Sequence, residues 1–321
     1  MTLETETVLD RRRLRRHVTG WRAAAVAAFA IAIGAVAFSG DRMAGLSGHQ
    51  IARVAFEGGI LENRDQLKML KKIADAKNVD ALLVFVNSPG GTTTGGEAIY
   101  EALREVAKKK PVVAQFGTVA ASAGYIVGLG ADHIVTRGNT ITGSIGVIVQ
   151  WPEVSALLDK LGVKMNEVKS GVLKATPNFF EPPSEASREV MQKMIGDSFQ
   201  WFTGLVESRR GIKVADVDGL IKGRIFSGRE ATAVKLADEI GGEAEAVRWL
   251  EKERGIKPDL KVVDWKPQSS SSWGLTSSAS RIAGGLLGEG AADLMKVLTQ
   301  DRTLSTLGLD GLVSVWHPAE N

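Results

Sequence analysis

From residue 51 onwards, apolar runs alternate with stretches in which apolar residues recur at helical spacing. The runs 81–87 and 111–117 are apolar except for Asn87 and Gln115, as in strands buried on both faces of a parallel sheet. Between them, the segment 95–109 has apolar residues three and four positions apart and a lysine-rich end, which predicts a crossover helix. This alternation predicts an α/β fold built from βαβ units around a mostly parallel sheet.

The remaining elements follow from the same patterns. Strands are predicted at 51–58, 133–136, 144–151 and 163–169, and helices at 152–162, 184–209 and 243–254. Two glycine-rich turns, Pro89–Gly91 and 118–124, each follow a predicted strand, and a short apolar helix begins near Ser122. Because ligand sites in parallel sheets lie at the carboxyl ends of strands, we expect the chemistry at these turns.

The N-terminus carries a membrane signal. Residues 23–38 are apolar and follow the basic stretch 11–17. Sixteen such residues form a helix about 24 Å long, and the positive-inside rule leaves the N-terminus in the cytoplasm. A transmembrane signal anchor at 23–39 is predicted. The alternatives are a removed signal peptide, for which Ala35–Ala37 supplies a small-residue cleavage site, and a buried core helix.

Composition changes divide the chain into five parts. Residues 1–22 form a cytoplasmic basic segment, 23–39 the anchor, 40–50 a linker and 51–266 the main domain. Residues 267–321 form a Ser-rich flexible segment followed by an amphipathic and apolar tail. With 44% apolar and 24% charged residues, the chain has enough apolar material for a sizeable core.

Several classes of chemistry are excluded by composition. The chain has no cysteine, which excludes disulfides, thiol catalysis and Cys-ligated metals. Its four histidines have no metal-ligand spacing, so we expect neither a metal nor another cofactor. The net charge of +3 is small, and no nucleic-acid-binding module is present, so a nucleic-acid partner is not expected.

Three motifs carry candidate chemistry. Adjacent glycines in SPGG permit close backbone approach and an anion-binding turn, or a plain tight turn. Ser122 lies among small residues in AASAGY, as a nucleophile would, or as a helix-capping serine would. Ser144 in TGSIGV fits turn chemistry, and Lys169 and Lys174 in KSGVLK are candidate bases or solvated surface charges.

The order of these motifs is specific. SPGG, AASAGY, TGSIGV, KSGVLK and FSGREA with LADEIGG follow one another between residues 50 and 255. This order resembles the short form of the signal peptide peptidase A (SppA) family, serine peptidases with a Ser/Lys dyad in the Clp protease–crotonase fold group. The chain differs at Ala123, where the family often has glycine, and at Ala175, where an acidic residue often follows the lysine.

The resemblance assigns a role to five residues. It implies that Ser122 is the nucleophile, Lys174 the general base and Ser144 the residue that orients the lysine. The backbone amides of Gly91 and Ala123 would form the oxyanion hole. A lysine base must be neutral, whereas a free lysine has a pKa near 10.4. Burial among apolar side chains favours the neutral form, and the neighbours Val172 and Leu173 suggest such surroundings.

The resemblance also implies a biological setting. The chain would be a membrane-anchored endopeptidase that degrades remnant signal peptides and other apolar peptides. It would act in the bacterial inner (cytoplasmic) membrane as a single-pass protein, with its catalytic domain outside the cytoplasm. Its partners would be peptides, the lipid bilayer and further copies of itself in a homo-oligomeric ring. The alternatives are a crotonase-type acyl-CoA enzyme and an inactive membrane scaffold of the same fold.

Overall fold

A computed structural model of the chain describes residues 21–22, 25–26, 48–267 and 313–315. Two compact units, Met1–His49 and Gln50–Asn321, divide the chain, and the elements described below belong to the second. The predicted anchor at 23–39 and tail at 267–321 lie outside the described residues, apart from 25–26, 267 and 313–315. Within the described part of the chain, no helix combines the length and apolar character needed to cross a bilayer.

The described elements of the second unit alternate between strand and helix. The strands are β1 (Gln50–Ile60), β2 (Val79–Thr92), β3 (Val112–Ala121), β4 (His133–Thr136), β5 (Ile141–Gly143), β6 (Ile225–Ser227), β7 (Glu239–Ile240), β8 (Lys261–Asp264) and β9 (Val313–Val315). The α-helices are α1 (Arg64–Asp75), α2 (Thr93–Ala107), α3 (Ala123–Leu129), α4 (Ser155–Lys160), α5 (Glu185–Arg210), α6 (Gly228–Ala233) and α7 (Glu243–Arg254). Short 3₁₀ turns cover Val214–Asp216 and Leu220–Lys222.

The strands form one mixed sheet in the order β6-β5-β3-β2-β1-β8. The pairings among β1, β2, β3, β4, β5, β7 and β8 are parallel, whereas β6 on β5 and β9 on β2 are antiparallel. β3 changes partner along its length, pairing with β4 through Val113–Phe116 and with β5 through Val119–Ala121. The prediction of a mostly parallel α/β sheet is therefore confirmed.

Alternate residues of the central strands pack on opposite faces of the sheet, as the period of two requires. Val54 and Val84 contribute to the core that includes α1, α2 and α3, whereas Ile51 and Leu83 pack with Leu250 of α7. These four strand side chains are essentially inaccessible to solvent. Burial on both faces explains why the central parts of β2 and β3 are nearly continuous apolar runs instead of alternating.

Several predicted elements are confirmed. The helix predicted at 184–209 is α5, in which the Ser184 side chain accepts a hydrogen bond from the Ser187 amide and Gly211 ends the helix at a φ of 63°. The helix predicted at 243–254 and the strand predicted at 133–136 have the expected bounds. These elements were predictable because their capping residues and periodicity are local.

Other predictions are wrong. The apolar stretch 144–151 is not a regular strand, since β5 ends at Gly143, and 163–169 contains neither strand nor helix. Pro89–Gly91 is not a turn but the extended end of β2, where Gly59 and Ile60 of β1 pair with Gly90 and Gly91. Helix α1 and strand β8 were not predicted. Helix α1 carries a local signal, because the Asn63 side chain caps it, whereas the strands depend on long-range pairing that a local pattern does not contain.

Candidate active site

Ser122 lies where β3 gives way to α3, in a backbone conformation that is rare for a residue with a side chain. Its φ and ψ are 57° and −121°. Its amide donates to the Gly143 carbonyl at 2.9 Å, and its carbonyl accepts from the Ile126 amide at 3.0 Å. Such strained backbone is retained where surrounding structure enforces it, which is often at functional sites. The strand-to-helix bend is therefore a fixed feature that presents Ser122.

The start of α3 packs against the end of β2. A Cβ on Gly124 would lie 2.8 Å from the Ser88 carbonyl oxygen, so only glycine allows this approach. The buried Ser88 hydroxyl accepts from the Gly90 amide at 3.1 Å and bonds the Gly90 carbonyl at 3.2 Å. These contacts hold the Gly90–Gly91 backbone next to the residues that follow Ser122.

The Ile60 backbone lies so close to Gly91 that only glycine fits at this position. A Cβ at this position would lie 1.9 Å from the Ile60 carbonyl oxygen, a distance that no side chain could occupy. Gly90 adopts a φ of 127°, which also favours glycine. Ala123, fully buried, begins α3. The structure thus brings the two segments that carry the predicted oxyanion-hole amides into contact.

Ser144 lies beside Ser122. In the parallel register of β3 and β5, Ala121 is opposite Gly143, so the two serines occupy the next position on each strand. Ser144 has a φ of 50°, and its amide donates to the Arg224 carbonyl at 3.0 Å. Both serines line an open cleft of about 470 Å³. Its apolar lining consists of Ile145, Val147, Ile148, Phe199 and Ile221.

The predicted base, Lys174, does not line this cleft. It is exposed and lies in the segment 161–184, which contains no regular helix or strand. Its amide donates to the Gly171 carbonyl at 3.0 Å. The neighbouring Val172 is exposed as well. Among the described residues of a single chain, no apolar environment surrounds the Lys174 side chain, which corrects the expectation from the sequence.

Lys169, the other candidate lysine, has a structural role. Its ammonium contacts the carboxylates of Glu167 and Glu181, the latter at 2.9 Å. The hydrogen bond to Glu167, and to a smaller extent the one to Glu181, raises the pKa of Lys169. A group held in its charged form is unsuited to accept a proton, so these contacts argue against Lys169 as a base.

Among the described residues that line the cleft, one has a cationic side chain, Lys222, which the sequence patterns did not single out. Lys222 ends the 3₁₀ turn Leu220–Lys222 and lines the cleft together with both serines. Gly219 and Gly223, with φ values of 73° and 76°, flank this turn. The stretch GLIKG, in which two glycines flank the lysine, is the sequence feature that could have indicated this turn. Because Lys222 lies 100 residues after Ser122, the sequence does not show that both residues line one cleft.

The segment around Lys174 presents an unusual amount of apolar surface. Exposed apolar side chains from α4 to the middle of α5 comprise Leu157, Leu161, Val163, Met165, Val168, Val172, Leu173, Phe179, Phe180, Val190 and Met194. Val168 is fully exposed, and Phe179 and Phe180 form an edge-to-face pair on the surface. Such a concentration of exposed apolar side chains in one segment is typical of a protein interface.

Two further polar residues stabilise the fold. Tyr125, buried within α3, donates its hydroxyl hydrogen to the Leu236 carbonyl at 2.8 Å, and burial raises the pKa of this phenol. His133 stacks on Trp249 with ring centroids 4.7 Å apart and lies near Asp238 and Glu239. Its partners lie in α7, in β7 and directly before β7, so His133 joins these elements to β4.

Known proteins share this sequence pattern. The chain matches Peptidase family S49 over residues 104–257 and the Clp protease family over residues 62–139. A candidate protease of Synechocystis sp. (slr0021) is 36% identical over 217 residues, covering 67% of this chain and 78% of the relative. A candidate signal peptide peptidase SppA of Enterococcus faecium is 35% identical over 246 residues, covering 74% and 67%.

A third relative is longer than this chain. Protease 4 of Haemophilus influenzae is 32% identical over 227 residues, which cover 68% of this chain and 37% of that protein. The matches to these relatives and to the Clp protease family agree with the observed α/β architecture and its mostly parallel sheet.

Proposed function

The chain belongs to peptidase family S49, a family of serine proteases, and on that premise we propose that it is a membrane-anchored endopeptidase with a Ser122–Lys174 dyad. One observation carries the proposal above all. Ser122 is held in a strained conformation at the head of α3, beside Gly90–Gly91 and at the edge of a cleft lined in part by apolar side chains. This is the arrangement that nucleophilic attack on a peptide carbonyl requires.

In the proposed reaction, each residue has one task. The neutral amine of Lys174 accepts the proton of the Ser122 hydroxyl as its oxygen attacks the peptide carbonyl. The amides of Gly91 and Ala123 donate to the resulting oxyanion, and Ser144 orients the lysine. The protonated lysine then donates to the leaving amine, and water hydrolyses the acyl-enzyme.

We assign Lys174 to the site of a neighbouring subunit. Within one chain it is exposed and outside the cleft that Ser122 and Ser144 line. The exposed apolar side chains on both sides of it, such as Val168 and Phe179, suit burial against another copy. A head-to-tail ring joins two different surfaces at each interface. Such a contact would also desolvate Lys174, which favours the neutral amine.

Apolar peptides are the proposed substrates, remnant signal peptides in particular. The cleft wall is formed by aliphatic and aromatic side chains such as Ile148 and Phe199. A crotonase-type acyl-CoA enzyme usually needs a carboxylate acid or base. Among the described residues that line the cleft there is no Asp or Glu, which favours the peptidase.

We propose that residues 23–39 anchor the catalytic domain outside the cytoplasm of a bacterial cell. The support is the apolar run preceded by RRRLRRH. An alkaline phosphatase reporter fused after Asn321 should be active, whereas one fused before Arg11 should be inactive. Activity of the N-terminal fusion alone would reverse this topology.

Labelling by a fluorophosphonate tests the central proposal. Wild-type protein and the Ser208→Ala variant, which alters an exposed serine of α5, should be labelled and should hydrolyse a Leu/Ala-rich peptide. Ser122→Ala should do neither while remaining folded. Labelling or hydrolysis that persists in Ser122→Ala would refute the assignment, and an unlabelled wild type would favour an inactive scaffold.

A further inference from the structure

A positive charge lines the same cleft as the two serines. Among the described residues of this lining, Lys222 carries the one ionisable side chain, and the others contribute serine hydroxyls, glycine backbone and apolar side chains. Within the described part of the chain, the Lys222 ammonium has no carboxylate at ion-pair distance. A cation without a protein counterion therefore stands at the wall of the candidate active site.

The neighbouring cation, Arg224, is engaged within the fold. Its guanidinium donates to the Glu230 carboxylate at 2.7 Å and lies 3.8 Å from the Asp218 carboxylate. It also packs over the Phe226 ring, 4.6 Å from the ring centroid. These contacts occupy the guanidinium, whereas the Lys222 ammonium remains available to a ligand that carries negative charge.

The turn that carries Lys222 has a fixed position relative to the catalytic serines. Leu220 is fully buried in the core, and the Lys222 amide donates to the Gly219 carbonyl at 2.9 Å. Two residues further on, the Arg224 carbonyl accepts from the Ser144 amide at 3.0 Å. Because the backbone is held on both sides of Lys222, its stem starts from a defined place beside the site, as preorganised recognition requires.

The ligand that suits this wall is an apolar peptide with a carboxylate. A lysine ammonium forms charge-assisted hydrogen bonds to carboxylates. In a peptide, the carboxylate comes from the C-terminus or from an Asp or Glu side chain. Hydrolysis of a peptide bond creates a new C-terminus, and its pKa of about 3.3–3.7 keeps it ionised at neutral pH. An apolar peptide that has already been cut from a longer chain therefore carries this charge at its end, whereas the same segment within an intact chain does not.

We propose that Lys222 binds the C-terminal carboxylate of the substrate, so that the enzyme selects apolar peptides already released by another protease. The proposal rests on the peptidase function proposed above and adds to it the group that is recognised. The cleft volume of about 470 Å³ is within the range of about 300–1,000 Å³ for small-ligand sites, so a short segment fits between Ser122 and Lys222. Cleavage then falls close to the C-terminus of the peptide, and an endoproteolytic reaction must supply the substrate.

Steady-state kinetics on matched peptides test the proposal in the full-length protein. The substrates are a Leu/Ala-rich peptide with a C-terminal acid, the same peptide with a C-terminal amide, and the amide ending in Glu. We expect KM of the wild type to be about fivefold lower for the acid than for the amide, as for an exposed ion pair. The kcat should change little, because the pair forms with the bound substrate and the transition state alike.

Three variants assign this preference to one ammonium group. Lys222→Met keeps the length of the side chain without its charge, and it should raise KM for the acid to the value for the amide. Lys222→Arg keeps the charge and should keep the preference. Lys213→Met is the matched control, since Lys213 is exposed but does not line the cleft, and it should match wild type.

Two results would overturn the proposal. One is an equal KM for acid and amide in the wild type, or a preference that survives in Lys222→Met. The other is an amide ending in Glu that binds as well as the acid, which would make any carboxylate sufficient and remove the selection of released peptides.

A binding experiment separates this proposal from the peptidase function. The acid and the amide, each with a fluorescent label at the N-terminus, are titrated into full-length Ser122→Ala and Ser122→Ala/Lys222→Met. We expect the acid to bind about fivefold more tightly than the amide to the first protein and equally to the second. This preference without any peptide hydrolysis by wild type would sustain the carboxylate site and refute the peptidase. Hydrolysis by wild type with equal affinity of Ser122→Ala for acid and amide would do the opposite.

Discussion

Ser122 and Ser144 occupy neighbouring positions one residue beyond the last paired residues of β3 and β5, Ala121 and Gly143. Both have positive φ values, 57° and 50°. Their amides are held by carbonyls of other segments, Gly143 for Ser122 and Arg224 for Ser144. Two serines 22 residues apart are therefore fixed side by side at the carboxyl edge of the sheet, and both line the same cleft.

This relationship predicts a supporting role for the Ser144 hydroxyl. Ser144→Ala should lower kcat about fivefold, because one hydrogen bond to the proposed base Lys174 contributes about 1 kcal/mol. Ser144→Gly separates the hydroxyl from backbone strain, since glycine adopts a positive φ without cost. The two variants should lose similar activity. Recovery of wild-type kcat in Ser144→Gly would show that the hydroxyl is dispensable.

Two lysines can be compared as the base. Lys174→Ala should lower kcat about 10²–10⁴-fold, the usual contribution of general base catalysis. Lys222→Ala should reduce kcat far less, because Lys222 lines the cleft without being the proposed proton acceptor. Ser122→Ala/Lys174→Ala should be little worse than either single variant, because both residues act in one proton transfer. Loss of kcat in Lys222→Ala with activity retained in Lys174→Ala would transfer the role to Lys222.

Gly91 should not tolerate a methyl group. In Gly91→Ala, the Cβ would lie 1.9 Å from the Ile60 carbonyl oxygen, so the end of β2 must shift. We expect a loss of about 1–3 kcal/mol in the free energy of unfolding and a decrease in kcat of about 10²–10³-fold. Gly59→Ala is the matched control in β1, since its Cβ would meet no atom within 4 Å. Urea denaturation and peptide hydrolysis measure both quantities, and equal behaviour of the two variants would contradict the argument.

Mixed assemblies test whether two chains build one site. Ser122→Ala and Lys174→Ala proteins, each inactive alone, are co-assembled in equal amounts. Half of the head-to-tail interfaces then join unlike chains, and half of those pair an intact serine with an intact lysine. Activity should therefore return to roughly one quarter of wild type. Inactive mixtures in which mixed rings are demonstrated by mass spectrometry would place both residues of each site in one chain.

The Lys169–Glu181 ion pair should order the segment that carries Lys174. Hydrogen bonding by Lys169 lowers the pKa of Glu181. The ion pair's contribution to stability is therefore fully present above the ordinary carboxyl pKa of about 4.3. It is lost as pH falls through the lower pKa of Glu181 in the folded protein. The raised pKa of Lys169 preserves the pair up to at least the ordinary lysine value of about 10.4.

Limited proteolysis at neutral pH measures this ordering. Glu181→Gln should be cleaved by chymotrypsin at Phe179 or Phe180 faster than wild type, because the ion pair is absent. Glu189→Gln removes an exposed pair with Lys193 within α5 and serves as the control. Identical cleavage rates for the two variants would show that the Lys169–Glu181 pair does not restrain the segment.

The sequence by itself determined the elements whose signals are local. The apolar runs at 81–87 and 111–117 specify buried strands, because each residue there must avoid water on either face. Ser184 and Gly211 bound α5 through hydrogen bonds within a few residues. The order of the short motifs was sufficient to identify the family, since each motif consists of consecutive residues that can be recognised without the fold.

Tertiary structure alone decided how those pieces meet. The glycine pair 90–91 reads locally as a turn, yet the backbone of Ile60 forces it into an extended strand. The apolar stretch after Ser144 lines a cleft instead of joining the sheet. The side-by-side serines, Lys174 outside the cleft and β9 on the edge of β2 all depend on contacts between residues far apart in the chain. These arrangements are stabilised by packing and strand pairing between distant segments, and a local sequence pattern carries no information about such partners.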